Sequence, residues 1–363
     1  MSKSPEQFCL GPIMKDIDKE CNKLDLDSKD ETDFKSSLEQ NFSSKDSTFS
    51  SVSLFSPSLE PCESSDSSYF SLNNILLTFK SQKLTKELQK NLLYESQESI
   101  NNIINRLSGT FRIIIKNKNG NYFCTDLLKI SSKQQRLKIL KELSNNLCED
   151  CVDDFATHPI QKLIELSSTE EEYKLLLSSF NDLQKILISA MNQNGTFVIQ
   201  KLIVYIPEKS RIEFNFLFVK LFCILSRDMY GVCAVKKFIA YSKDELILKQ
   251  VLNCLITNFV NISQNQYGNY LVQYLLEKWW KTNEGEYIKR IIISKFPILS
   301  KNQYSSYICH LFIRLCSNKE KMFLFSSLNN NKFLAKYNNN FQNKNSSNEN
   351  TSEEKNPKNG NSK

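Results

Sequence analysis

Between about residue 81 and residue 315, apolar residues recur in pairs at helical spacing, and a short polar phrase carrying glycine interrupts them at a nearly constant interval. The phrase reads Asn119-Gly120-Asn121-Tyr122, Asn194-Gly195-Thr196-Phe197, Tyr230-Gly231-Val232-Cys233 and Tyr267-Gly268-Asn269-Tyr270, and four of the eight glycines in the chain stand in this one column. Weaker copies fall one period away, at Lys83-Leu84-Thr85-Lys86, Phe155-Ala156-Thr157-His158 and Tyr304-Ser305-Ser306-Tyr307. The residue that closes each copy is Gln89, Thr125, Gln161, Gln200, Lys236, Gln273 and His310, at steps of 36, 36, 39, 36, 37 and 37. A register kept over seven copies predicts stacked supersecondary units, because one such unit cannot bury its apolar face alone.

One unit shows the elements. Leu175, Leu176, Leu177 and Phe180 begin an apolar stripe, Asn181-Asp182 break it, and Leu183, Ile186, Leu187 and Met191 make a second. Asn192 to Gly195 punctuate the chain again, and Thr196 to Tyr205 read as a further helix. No alternating strand pattern competes. The expected fold class is all-α, a curved α-solenoid of about seven stacked helical units.

At about 100° per residue, the first and second residues after the glycine column and the one four after the first lie within a 100° arc. Val198, Ile199, Leu202 and Ile203 fall on the rest of the wheel. The wheel therefore predicts an apolar set that packs and a triplet that projects: Thr85/Lys86/Gln89, Asn121/Tyr122/Thr125, Thr157/His158/Gln161, Thr196/Phe197/Gln200, Val232/Cys233/Lys236, Asn269/Tyr270/Gln273 and Ser306/Tyr307/His310. The middle column is aromatic or histidine in five of seven, and flat side chains at regular spacing are platforms for unstacked bases. The flanking Asn, Thr, Ser and Gln offer donors and acceptors to a base edge. Ordinary explanations stand beside this one. Asn or Thr at a helix start also serves as an N-cap, glycine as a close-packing turn residue, and a ring can pack on the neighbouring unit. Capping does not account for a Gln one turn later together with an exposed ring.

Charge sharpens the picture. Residues 1–70 hold 7 lysines against 14 acidic residues, whereas the remainder carries 40 basic and 26 acidic, a surplus of 14. A basic body suits a polyanionic partner. Lys90, Lys162, Lys201 and Lys237, each next after the closing column, are candidate contacts to a nucleic-acid backbone. Residues 1–72, acidic and Ser-rich, and 338–363, an Asn/Ser/Lys tract, lack core-forming periodicity and are expected to be disordered, leaving 73–337 as the repeat domain. Five of the eight prolines lie in those two arms; Pro159, Pro207 and Pro297 suit first helical turns or joints.

The stretches Gly-Asn-Tyr-Leu-Val-Gln at 268–273, Gly-Thr-Phe-Val-Ile-Gln-Lys at 195–201 and Thr-His-Pro-Ile-Gln-Lys-Leu-Ile-Glu at 157–165 resemble the RNA-reading helices of the Pumilio (PUF) family. The resemblance implies a crescent of three-helix repeats with single-stranded RNA on its concave face, one base per repeat. It further implies targets in messenger RNA 3′ untranslated regions, and repression of translation or promotion of decay through recruited deadenylase or repressor proteins, by a monomer in the cytoplasm. By the same resemblance Asn269 with Gln273 matches the uracil-reading pair, stacked by Tyr270. Thr85/Gln89, Thr157/Gln161 and Thr196/Gln200 match pairs that favour adenine. Thr125, the Val232/Lys236 pair and His310 after Ser306 depart from the pattern, which argues against a simple UGU-containing target. A protein-binding helical scaffold and a nucleolar factor for ribosomal RNA processing are the alternative readings.

No catalytic centre, cofactor or metal site is expected. Cys148-Glu-Asp-Cys151 is a lone C-x-x-C in a helical pattern, the two histidines His158 and His310 both stand in the triplets, and there is no phosphate loop. Eleven scattered cysteines point to reduced core thiols. Trp279-Trp280 is read as packing between repeats. No signal peptide or membrane span is apparent, since the apolar stretch 217–225 is short and contains Lys220.

Overall fold

The computed structural model describes residues 77–329. The expected arm 1–72 and tail 338–363 lie outside the described residues. Within them there is no strand, and the helices gather into two compact units, 77–218 with 233–243, and 219–232 with 244–329.

The repeat takes its three-helix form most plainly in α2 (Gln97–Leu107), α3 (Phe111–Ile115) and α4 (Gly120–Ile130). It recurs in α5 (Lys133–Leu143), α6 (Leu147–Asp150) and α7 (Thr157–Leu166), then in α8 (Glu170–Ser178), α9 (Leu183–Ala190) and α10 (Gly195–Tyr205). Preceding them, α1 (Gln82–Leu92) is a third helix, capped by Ser81. In the next repeat the first two helices are fused into α11 (Ile212–Leu225), followed by α12 (Gly231–Tyr241). The three-helix form returns in α13 (Glu245–Thr257), α14 (Phe259–Ser263) and α15 (Gly268–Lys278), and fusion recurs in α16 (Asn283–Leu299), before α17 (Ser305–Leu315) and α18 (Asn318–Asn329).

Fusion has a local cause. Where the first two helices stay separate, turn residues part them, as Gly109 does at φ 82° and Asp182 does by capping Lys185 N–H. The run from Ile212 to Leu225 has no glycine, proline or aspartate, and in Asn283–Leu299 Gly285 falls within the first turn and Pro297 within the last. Its fixed φ is helical and it forgoes a single backbone bond there. Pro297 is therefore not the joint expected of it, whereas Pro159 lies in the first turn of α7 and Pro207 precedes the short 3-10 turn Glu208–Ser210.

First helices start on side-chain caps: Ser96, Ser132, Thr169, Asp244 and Thr282 each accept from a backbone N–H of the first turn, worth about 1 kcal/mol apiece. Third helices start differently. Asn117, Asp153, Asn192, Asp228, Asn265 and Asn302 each accept through Oδ1 from the N–H groups two and three residues on, at 2.8–3.1 Å. This Asn/Asp column, three residues ahead of the glycine column, went unread in the sequence although its spacing is as regular as that of the glycines.

The glycine column is a close approach. A Cβ on Gly268 would lie 2.3 Å from the Ile262 carbonyl oxygen, and one on Gly195 2.4 Å from that of Ser189. Where serine stands in the column, Ser305 Oγ donates to the Leu299 carbonyl at 2.7 Å. The core of each repeat lies beneath: Ile114, Leu127, Leu140 and Ile160 in one unit and Leu255, Ile262, Leu275 and Ile308 in the other are fully buried. Within each unit consecutive third helices pack side by side, α1 with α4, α4 with α7, α7 with α10, and α15 with α17.

Candidate nucleic-acid interface

Within each unit, side-by-side third helices bring the triplets of α1, α4, α7 and α10 next to one another in turn, and that of α15 next to that of α17. The middle column reaches solvent. Tyr122 is 60% exposed, Tyr307 39%, His158 and Lys86 are exposed, and Phe197 and Tyr270 are half-buried. Cys233 departs, buried at 6%. Burial raises the Tyr270 hydroxyl above the usual phenol range, and the neighbouring phenols of Tyr307 and Tyr304 add to it.

The first column does not project as the wheel implied. Thr85, Asn121, Thr157, Thr196, Val232 and Asn269 are buried, and Ser306 is half-buried. Each lies near the start of its helix, where carbonyls of the preceding residues or of the next repeat take up the polar side chains. Asn121 Nδ2 donates to the carbonyls of Asn117 and Lys118 at 3.0 and 2.7 Å, and Asn269 Nδ2 to those of Asn265 and Gln266 at 3.0 and 2.9 Å. Thr85 donates to the Ser81 carbonyl, Ser306 to that of Gln303, and Thr157 reaches the Asn194 carbonyl of the next repeat.

The closing column joins the first. Gln161 Nε2 donates to Thr157 Oγ1 at 3.0 Å, Gln200 Nε2 to Thr196 Oγ1 at 3.3 Å, and Gln273 Nε2 to Asn269 Oδ1 at 2.9 Å. In three repeats the two edge columns therefore form one bonded pair, and the Gln200 carbonyl oxygen is left buried without a partner. Gln89 instead donates to Asp126 at 2.6 Å, and Thr125 returns its hydroxyl to the Asn121 carbonyl. Val232 is fully buried, Lys236 is half-buried, and His310 is exposed.

The lysines divide. Lys90 is exposed. Lys162 and Lys201 both donate to Glu165, one from each side, and Lys201 is 1% exposed with Nζ 5.3 Å from the centre of the Tyr205 ring. Lys237 is buried over the Tyr241 ring. Lys201 and Lys237 are thus not the free surface cations their position suggested, because each is buried over an aromatic ring one turn on, and Glu165 one repeat back also holds Lys201.

Other candidate chemistry resolves into packing. The Cys148 thiol donates to the Lys185 carbonyl and that of Cys151 to Ser189 Oγ, and burial pushes the Cys151 thiol up to about 12, as it does Cys124. Trp280 meets Phe312 edge-on with Lys289 4.2 Å above its ring. Among the described residues no three His, Cys, Asp or Glu side chains group as metal ligands, and no helix is long and apolar enough to cross a membrane.

Fold and face together define an all-α repeat protein whose third helices present paired polar side chains beside exposed rings. The family model for the Pumilio-family RNA binding repeat matches residues 190–213, 258–279 and 295–328, which contain α10, α15 and α17. Among curated proteins, Pumilio homolog 12 of Arabidopsis thaliana is 26% identical over 203 residues, covering 54% of this chain and 33% of the relative. Pumilio homolog 11 of the same plant is 28% identical over 186 residues, covering 50% and 31%. This chain spans about a third of the length of these relatives. Among solved structures, the Puf4 RNA binding domain bound to an HO endonuclease RNA 3′ UTR recognition sequence superposes with a TM-score of 0.64 at 20% identity, over 69% of this chain and 78% of that one. Yeast Puf5p bound to AAT2 RNA gives 0.60 at 20% identity, over 70% of each. The chain carries matches to the Pumilio-family RNA binding repeat over those stretches, and its fold is that of the Puf repeat solenoids.

Proposed function

We propose that this chain is a sequence-selective single-stranded RNA-binding protein that acts on messenger RNA 3′ untranslated regions in the cytoplasm, and that repression or decay follows from proteins it recruits. The observation that carries the RNA reading is the bonded edge pair beside a ring that reaches solvent, found in α7, α10 and α15. A ring supplies a stacking surface for any base. A pair whose geometry is already fixed loses little conformational freedom when a base edge arrives. The stacking residues are Tyr122, His158, Phe197, Tyr270 and Tyr307, with Lys86 in the same exposed column and the edge columns on either side, and Lys90 and Lys162 are the lysines placed to meet phosphates.

Selection of RNAs by the full chain from a randomised single-stranded pool, repeated at two salt concentrations, tests the reading. An enriched motif whose affinity falls with salt is expected. Recovery of no motif, or salt-independent binding, would leave a protein-binding scaffold as the function of this face.

A further inference from the structure

Gln89 breaks the pattern of its column. Gln161, Gln200 and Gln273 turn back onto their own helices, whereas Gln89 Nε2 crosses to the next third helix and donates to Asp126 Oδ2 at 2.6 Å. Thr85 gives its hydroxyl hydrogen to the Ser81 carbonyl at 2.9 Å. Asp126 occupies the register position that holds lysine at 90, 162, 201 and 237. Its other oxygen accepts from Lys129 Nζ at 3.0 Å, and its side chain remains 30% exposed.

Acceptors accumulate around it. Thr125 has given its hydroxyl hydrogen to the Asn121 carbonyl, and Asn121 has given its amide hydrogens to Asn117 and Lys118. Asn121 Oδ1 is left buried with no partner, because Thr125 replaces the Gln that satisfies the same atom in Asn269. The seat between α1 and α4 thus offers the part-exposed Asp126 carboxylate, with the Thr125 hydroxyl oxygen and the buried Asn121 amide oxygen on the same helix. Its donors are the second N–H of Gln89 and the Lys129 ammonium.

We infer that Asp126 is a specificity-determining residue and that the base taken between α1 and α4 is guanine. The inference rests on the proposed RNA-binding function. A carboxylate can only accept, and guanine is the base whose Watson–Crick edge sets two donors, N1–H and the N2 amino group, side by side. Its O6 accepts from Gln89 or Lys129. Uracil sets its one donor between two carbonyls, and adenine and cytosine set an amino group beside a ring nitrogen whose lone pair faces the carboxylate. Guanine therefore replaces the adenine that the Thr85/Gln89 pair alone would favour.

The test is selection from a randomised single-stranded pool with the full chain and its Asp126→Asn and Asp126→Ala variants, each checked for unchanged thermal unfolding. The wild type is expected to fix guanine at one position. Asp126→Asn should lower preference for it by roughly tenfold, as one lost edge contact does, with the rest of the motif intact. A wild-type motif without a fixed guanine, or one unmoved in both Asp126 variants, overturns the inference and leaves RNA binding standing. Failure of the wild type to select any motif would overturn the RNA reading and this inference with it.

Discussion

Gln273 donates through Nε2 to Asn269 Oδ1 at 2.9 Å, and Asn269 in turn donates to two carbonyls of the preceding loop. The pair is consequently anchored to the Asn265 turn that starts the helix. The residues that fix where the helix begins also fix which hydrogen-bonding atoms face outward, so fold and recognition chemistry share one set of bonds.

Changing Asn269 to Ser and Gln273 to Glu is therefore expected to alter selectivity without unfolding the repeat. The wild-type pair presents a donor and an acceptor and should fix uracil; the variant presents a carboxylate and should move that position toward guanine. One edge contact is worth roughly 1–3 kcal/mol of discrimination. Val232 has no polar atom, so the position facing α12 should be nearly free in both. A selected motif that tolerates all bases equally at both positions would show that these columns do not read bases.

Tyr270→Ala should weaken binding to a selected RNA by roughly 1–3 kcal/mol, the usual worth of a base stack. Cys233→Ala should change affinity far less, because Cys233 is buried and offers no plane. Equal losses in the two variants, measured by titration, would remove the stacking role from the column.

The period, the third helices and the exposed rings were legible because each depends on residues close in sequence. The burial of Asn269 and Thr196 was not, since a helical wheel treats the helix as an isolated cylinder and ignores the loop folded over its first turn. Lys201 and Gln89 were misplaced for a related reason. Their partners Glu165 and Asp126 lie 36 and 37 residues away, one full period, and only stacked repeats bring such residues together. The Asn265 column, by contrast, was available in the sequence, as an Asn or Asp three residues ahead of every glycine-column position from 120 to 305.

The two kinds of lysine should separate in salt titrations. Lys90→Ala is expected to reduce the magnitude of the logarithmic salt slope by about 0.7, the value for one phosphate contact to a single strand. Lys201→Ala should leave the slope unchanged and lower stability instead, by up to ~3 kcal/mol, since it removes one partner from a largely buried ion pair. Equal slopes for wild type and Lys90→Ala would make Lys90 ordinary surface charge.

Gly268→Ala should destabilise the chain by about 1–3 kcal/mol, the cost of forcing an extra methyl into packed structure, because its Cβ would meet the Ile262 carbonyl oxygen at 2.3 Å. Ser305→Ala, in the same column, loses a hydroxyl bond to Leu299 and should cost about 1 kcal/mol. Urea unfolding of both variants checks the argument. A neutral Gly268→Ala would mean that α15 can shift away from α14 freely.

Glu165 should make part of the stability acid-sensitive. Burial alone would raise its carboxyl, but hydrogen bonds from Lys162 and Lys201 outweigh it and hold the group below the usual carboxylate range. A depressed folded value means that the unfolded chain takes up the proton first. The contribution is then complete above the unfolded-chain value of about 4.3 and is lost as pH falls through the folded value. Glu165→Gln should be less stable at neutral pH, by ~3 kcal/mol, because Lys201 is left buried beside a neutral amide. Its disadvantage should shrink as pH drops from about 5 toward 3, a window set by that unfolded-chain value. Urea midpoints of wild type and Glu165→Gln that stay a constant distance apart across this range would show that the Lys162–Glu165–Lys201 cluster contributes nothing that acid can remove.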